Sequence, residues 1–128
     1  MIGSVEGTRT VYLAGQVARD RRGRLVGPDD LAAQVAQAYL NVDAGLRAVG
    51  GGFGDLTELI VHVVDLTRDK IPLVKEGIGR AAAECGASLL RPVTLLGVTS
   101  LREPEFLVAV DAVAVLRPDE RLWPRETC

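Results

Sequence analysis

At 128 residues, 48% hydrophobic and 25% charged, the chain is long enough for one domain with one real core and too apolar to be disordered. A formal charge of -2 and an aromatic content of 4% count against general polyanion binding and against base-stacking platforms, so a nucleic-acid partner is not expected. One histidine, His62, and two cysteines, Cys85 and Cys128, argue against a protein-only metal site and a disulfide framework and fit a reducing cytoplasm.

The N-terminus lacks a continuous apolar stretch of the signal-peptide kind, and no apolar run reaches the roughly 18 residues of a membrane span. The pattern is that of a soluble, cytoplasmic protein with no membrane partner. Met1 to Gly7 reads as a short frayed end. Thr10 to Ala14 reads as a first strand ended by Gly15, and Arg24 to Val26 as a short strand pairing back on it. The basic cluster Arg19, Arg21, Arg22 and Arg24 is interrupted by Asp20 and reads as a solvated turn.

Asp30 is placed to cap a helix running to about Val49, with Leu31, Val35, Ala38, Val42, Leu46 and Val49 on one face. Gly50 to Gly54 follows a helix and leads into a strand, the reverse of a phosphate-binding context, and reads as a helix stop. The strand from Asp55 to Val64 puts Leu59, Val61 and Val63 on one face and Ile60, His62 and Val64 on the other. His62 reads as a structural residue unless a carboxylate meets it. A second helix is predicted from Ile71 to about Cys85, ended by Gly86, with Gly77 and Gly79 leaving room for a close approach, such as another subunit.

Two apolar, β-branched runs close the pattern: Arg91 to Leu101 and Phe106 to Leu116, flanking a polar turn with Pro104. The short turn favours antiparallel pairing of the two, each buried on both faces. Asp111 breaks the second run, and a carboxylate there needs a partner or a polar cleft. The tail, residues 117–128, carries Pro118, Trp123 and Pro124 without periodicity. Two amphipathic helices then cover one face of a mixed sheet, and the other apolar face, bare in a monomer, marks an association surface.

Tyr12-Leu-Ala-Gly-Gln16, Leu25-Val-Gly27, Gln34, Asn41, Val63-Val-Asp65 and the closing strands, in this order and spacing, resemble the RidA (YjgF, endoribonuclease L-PSP) family over roughly residues 8–116 of a single domain spanning 1–128. The resemblance implies an α+β, chorismate-mutase-like fold and a homotrimer whose sheets form a central barrel. It also implies small-molecule clefts between subunits and no cofactor. The best-known members hydrolyse reactive enamines and imines to 2-keto acids and ammonia.

Carried over residue by residue, the resemblance departs from the deaminating members. Their carboxylate-clamping arginine matches Val93, and the glutamate that positions water matches Ala109. Their N-terminal cleft-closing tyrosine would precede the start of this chain. The departures leave a less charged cleft and count against general 2-iminoacid deamination.

The expected ligand-binding residues are Ala14, Gly15, Val93, Thr94, Leu95 and Ala109, and the catalytic candidates are Arg91, Asp111 and Thr94. Two readings of Arg91 and Asp111 stand side by side. They rebuild a clamp and a water-orienting carboxylate two residues from the lost positions, or Arg91 is solvated and Asp111 is a structural hydrogen-bond acceptor. Thr94 brings a hydroxyl, and the backbone around Gly15 and Leu95 brings N–H groups, able to polarise a carbonyl or imine without charge. The functional expectation is binding of, or action on, imine, enamine or related carbonyl metabolites by hydrolysis, water addition or tautomerisation. A non-enzymatic regulatory trimer and an endoribonuclease are the alternatives.

Overall fold

A computed structural model describes residues 7–86 and 93–117, and the backbone of residues 2–5. In chain order the elements are β1 (Ile2–Val5), β2 (Thr8–Gln16), α1 (Leu31–Ala48), β3 (Leu56–Val64), α2 (Ile71–Cys85), β4 (Val93–Val98) and β5 (Val108–Leu116), with single 3-10 turns at Phe53–Asp55 and Arg68–Lys70. The strands form one mixed sheet in the order β1-β2-β5-β3-β4. This is the α+β arrangement, two helices on one face of a mixed sheet, that the resemblance implied.

Local chemistry sets the helix ends where the sequence placed them. The Asp30 carboxylate accepts from the Ala33 N–H at 3.1 Å, which satisfies one donor of the first turn of α1. Gly86 adopts φ 66° and closes α2 in the left-handed conformation that glycine tolerates best. Gly77 lets the two helices touch: a Cβ there would sit 2.5 Å from the Ala32 carbonyl oxygen and 2.6 Å from Val35 Cβ. The close approach expected of a second subunit is therefore made by α1 of the same chain.

Three strand expectations are corrected. Ile2–Val5 are not frayed: β1 pairs antiparallel with β2, from Ile2 opposite Val11 to Val5 opposite Thr8, and so covers what would be an exposed edge. The segment around Arg24 to Val26 pairs back only through an isolated bridge between Arg19 and Leu25. The two closing runs do not pair with each other: β4 runs parallel to β3, and β5 lies antiparallel between β2 and β3.

The end of β3 shows why. Its Val64 N–H donates to the Leu107 carbonyl at 3.0 Å and the neighbouring Asp65 N–H to the Val98 carbonyl at 2.9 Å. β3 thus separates the two runs, and α2 supplies the crossover that parallel neighbours require. As an edge strand β4 is also far from buried on both faces, with Val93 40% and Leu96 43% exposed.

Leu59, Val61 and Val63 of β3 and Val108, Val110 and Ala112 of β5 are sealed in the core with Val35, Val42 and Leu46 of α1 and Val74 of α2. Alternation sends Tyr12, Ile60, His62, Asp111 and Val113 to the opposite face, which is open in the single chain. Cys85 is disulfide-bonded, which removes the cysteine argument for a reducing compartment; the chain's other cysteine, Cys128, lies outside the described residues, as does Trp123. Among the described residues no helix is long and apolar enough to cross a membrane.

Candidate functional site

A bulge in β2 creates the site. Leu13 faces Ala112 and Gln16 faces Val110, so β2 spends one more residue than β5 over the same step. Gly15 takes up the extra length at φ 62°, a region that disfavours side chains. Its N–H donates to Asp111 Oδ1 at 2.6 Å. The other carboxylate oxygen, Oδ2, lies 3.1 Å from His62 Nε2. His62 and Asp111 side chains are 26% and 19% exposed, sheltered yet reachable from the open face.

Geometry assigns the roles in this chain. A carboxylate beside Nε2 makes Nε2–H the donor of this bond and leaves Nδ1 as the ring nitrogen not engaged by Asp111. Among the described residues Nδ1 has no hydrogen-bond partner. Ala109 is paired directly with His62 across β3 and β5, on the same face.

Two loops meet beside this row, and two polar residues of α1 hold them. Buried Gln34 donates through Nε2 to the Gly27 carbonyl at 3.0 Å and accepts through Oε1 from the Leu107 N–H at 2.8 Å. Asn41 Nδ2 donates to the carbonyls of Val17 and Arg19 at 2.8 and 2.9 Å. Between the loops lies a cleft of about 400 Å³ lined by Gly15, Val17, Arg19, Arg102, Phe106 and Ala109. That volume suits a small metabolite.

Arg19 departs from the solvated turn expected of its cluster. It pairs with Glu103, donates to the Gly23 carbonyl at 2.9 Å, and lies 4.8 Å over the Phe106 ring. The Arg19 hydrogen bond holds the Glu103 carboxyl below the usual carboxylate range. Arg24 does behave as expected, paired with Asp20 at 3.0 Å on the surface.

The structure brings Gly15, Ala109 and Asp111 together, with exposed Ala14 in the bulge beside them. It sets Val93, Thr94 and Leu95 apart. Thr94 is level with Ile60, and Ile60 with Asp111, so Thr94 and Asp111 lie two strand spacings apart, about 10 Å. Val93 and Leu95 pair with Leu59 and Val61 and share their helix-side face, opposite to that of Ala109. Arg91 lies outside the described residues, and with it the idea of an Arg91–Asp111 clamp. Sequence reading missed the partnership of His62 with Asp111; the available signal was that each interrupts an apolar strand. Among the described residues no group of three or more His, Cys, Asp or Glu side chains converges as metal ligands would.

The family model for endoribonuclease L-PSP matches residues 3–116. The chain belongs to that family. YyfB of Yersinia pestis, described as a member of the Rid family, is 34% identical, with 84% of this chain and 78% of YyfB covered and a TM-score of 0.70. The YjgF gene product of E. coli is 25% identical over 91% of this chain and 86% of its own, at a TM-score of 0.72. E. coli TdcF, solved with bound serine, is 20% identical over 89% and 84% of the two chains at 0.71, a likeness of fold. A search of curated proteins found no match. The L-PSP fold thus accounts for the sheet and the helices together.

Proposed function

We propose that this L-PSP family protein binds and acts on small planar imine, enamine or related carbonyl compounds, and that it is not a general 2-iminoacid deaminase. The observation that carries this reading is the small cleft floored by Gly15 and Ala109 beside the Asp111–His62 pair. The lost charges support it: Val93 and Ala109 stand where deaminating relatives, by resemblance, hold the carboxylate clamp and the water-positioning glutamate. A charged hydrogen bond to a carboxylate contributes about 1.5–3 kcal/mol, and the cleft forgoes it at Val93; of the two arginines that line the cleft, Arg19 is already paired with Glu103.

We further propose a homotrimer with the clefts at its seams. The open face supports this, since Tyr12 and Leu96 are 39% and 43% exposed on it. In such a ring the β4 edge of one copy, carrying Val93, Thr94 and Leu95, closes on Gly15 and Ala109 of the next. The reading of a purely ligand-binding trimer is favoured by one observation, the absence of charge at Val93 and Ala109.

An assay of imino acids released by an amino-acid oxidase tests the deaminase part, with calorimetry of 2-oxobutanoate and its neutral amide beside it. The reading expects 2-oxo acid formation at the uncatalysed rate and binding of the amide at least as tight as that of the acid. Strong acceleration of imino-acid hydrolysis, or binding of the acid alone, would contradict it.

A further inference from the structure

We infer that His62 is a proton-transfer residue and that the chemistry of this cleft is tautomerisation, a proton moved between carbon and heteroatom with no water added. The inference rests on the reading that the cleft takes enamines, imines or enolisable carbonyl compounds. Its own ground is the arrangement around His62. The Gly15 N–H and the imidazole Nε2–H converge on the two oxygens of Asp111, at 2.6 and 3.1 Å. Both oxygens are thereby used, which fixes the carboxylate, and the carboxylate fixes the ring and its tautomer.

What remains is Nδ1, the second ring nitrogen, with no protein partner among the described residues. Buried Gln34, by contrast, has both ends of its amide bonded. The unpaired Tyr39 Oη and Asp43 Oδ1 are sealed from solvent and so out of a ligand's reach, whereas His62 is 26% exposed. Directly opposite His62 is Ala109, which lines the cleft. Side chains directly opposite on neighbouring strands have Cβ atoms about 4.5–5.5 Å apart, so a small molecule resting on Ala109 lies within reach of the ring.

The step balances without a co-reactant. With an enamine, the His62 imidazolium gives its Nδ1 proton to the β-carbon. The C=C electron pair forms the new C–H bond, and the nitrogen lone pair closes the C=N bond. Neutral Nδ1 then takes one proton from the iminium nitrogen, which leaves the neutral imine and restores the imidazolium. With a carbonyl compound, neutral Nδ1 removes the proton next to the carbonyl, the electron pair moves onto oxygen, and reprotonation at carbon or oxygen completes the transfer. Asp111 touches no substrate in this scheme; it is a positioning residue that keeps the proton on Nε2.

Proton–deuteron exchange at C3 of 2-oxobutanamide and 2-oxobutanoate in deuterium oxide, followed by NMR, reads the step directly. Wild-type protein should accelerate exchange, and His62→Ala should lower the rate by about 100-fold or more. Affinity for the probe by calorimetry should fall far less than the exchange rate, and added imidazole should restore exchange. Asp111→Asn presents an amide N–H to Nε2; it should slow exchange while the ring 15N shifts of His62 report the proton moved to Nδ1. Probe that binds but exchanges equally in wild type and His62→Ala overturns the inference alone. Probe that does not bind overturns the proposed ligand class as well.

Discussion

On one side of the sheet Leu59, Val61 and Val63 are wholly sealed beneath α1 and α2; one residue along the same strand, Ile60, His62 and Val64 are half-buried on the open side. Two polar side chains show the same division, although the sealed Tyr39 Oη and Asp43 Oδ1 of α1 also lack a partner among the described residues. Gln34, under the helices, spends its amide on the backbone of two loops. His62, on the open side, keeps one ring nitrogen in reserve. A buried polar group whose capacity is used up holds a fold together, whereas one with capacity left over in a reachable place is available for chemistry.

The largest effect that sharpens this contrast comes from cutting the same side-chain class on both faces. Leu59→Ala opens a cavity under α1 and should lower the free energy of unfolding by about 2–5 kcal/mol in urea denaturation. Ile60→Ala should cost the isolated fold well under about 1 kcal/mol and instead weaken self-association, read as mass by light scattering. Equal losses of stability from the two would remove the distinction between the faces.

Next come the two glycines of α2, which should respond with opposite signs. Gly77→Ala drives a methyl into the Ala32 carbonyl and Val35. It should destabilise by about 1–3 kcal/mol. Gly79 has open space around its Cβ position. Gly79→Ala should stabilise by about 0.5–1 kcal/mol. Thermal unfolding of both variants distinguishes the helix–helix contact from a general intolerance of α2 to side chains.

The smallest effect is pH-linked and lies on the helix side. Burial raises the Asp43 carboxyl above the usual carboxylate range, with Arg47, 3.6 Å away, opposing the shift. A folded-state pKa above the unfolded value means the folded chain holds the proton more tightly. Stability therefore falls as pH rises from the ordinary carboxylate value through the raised one. Asp43→Asn should be slightly more stable than wild type at neutral pH, and the gain should vanish below the ordinary carboxylate range. A gain that grows in acid would contradict the assignment.

The local features were legible because their causes are local. The Asp30 cap, the glycine that ends α2 and the alternation of β3 each need only a few neighbouring residues. Strand partners were less so. The closing runs look like a hairpin until β3 is known to lie between them, and that depends on where α2 returns the chain. The candidate site divided in the same manner. Gly15 and Ala109 fell on the cleft, but His62 and Asp111 are 49 residues apart, and only the pairing of β3 with β5 makes them neighbours. The use of Arg19 on Glu103 and Phe106 was hidden for the same reason, inside what reads locally as a surface turn.

The central claim is that the ligand sits on the open face against Gly15 and His62. Titration of 15N-labelled protein with 2-oxobutanamide measures this most directly. The account predicts saturable shifts of the Gly15 amide and the His62 ring nitrogens. Shifts confined to Gln37, Arg47 and Glu84, which line the neighbouring cleft against α1, would contradict it.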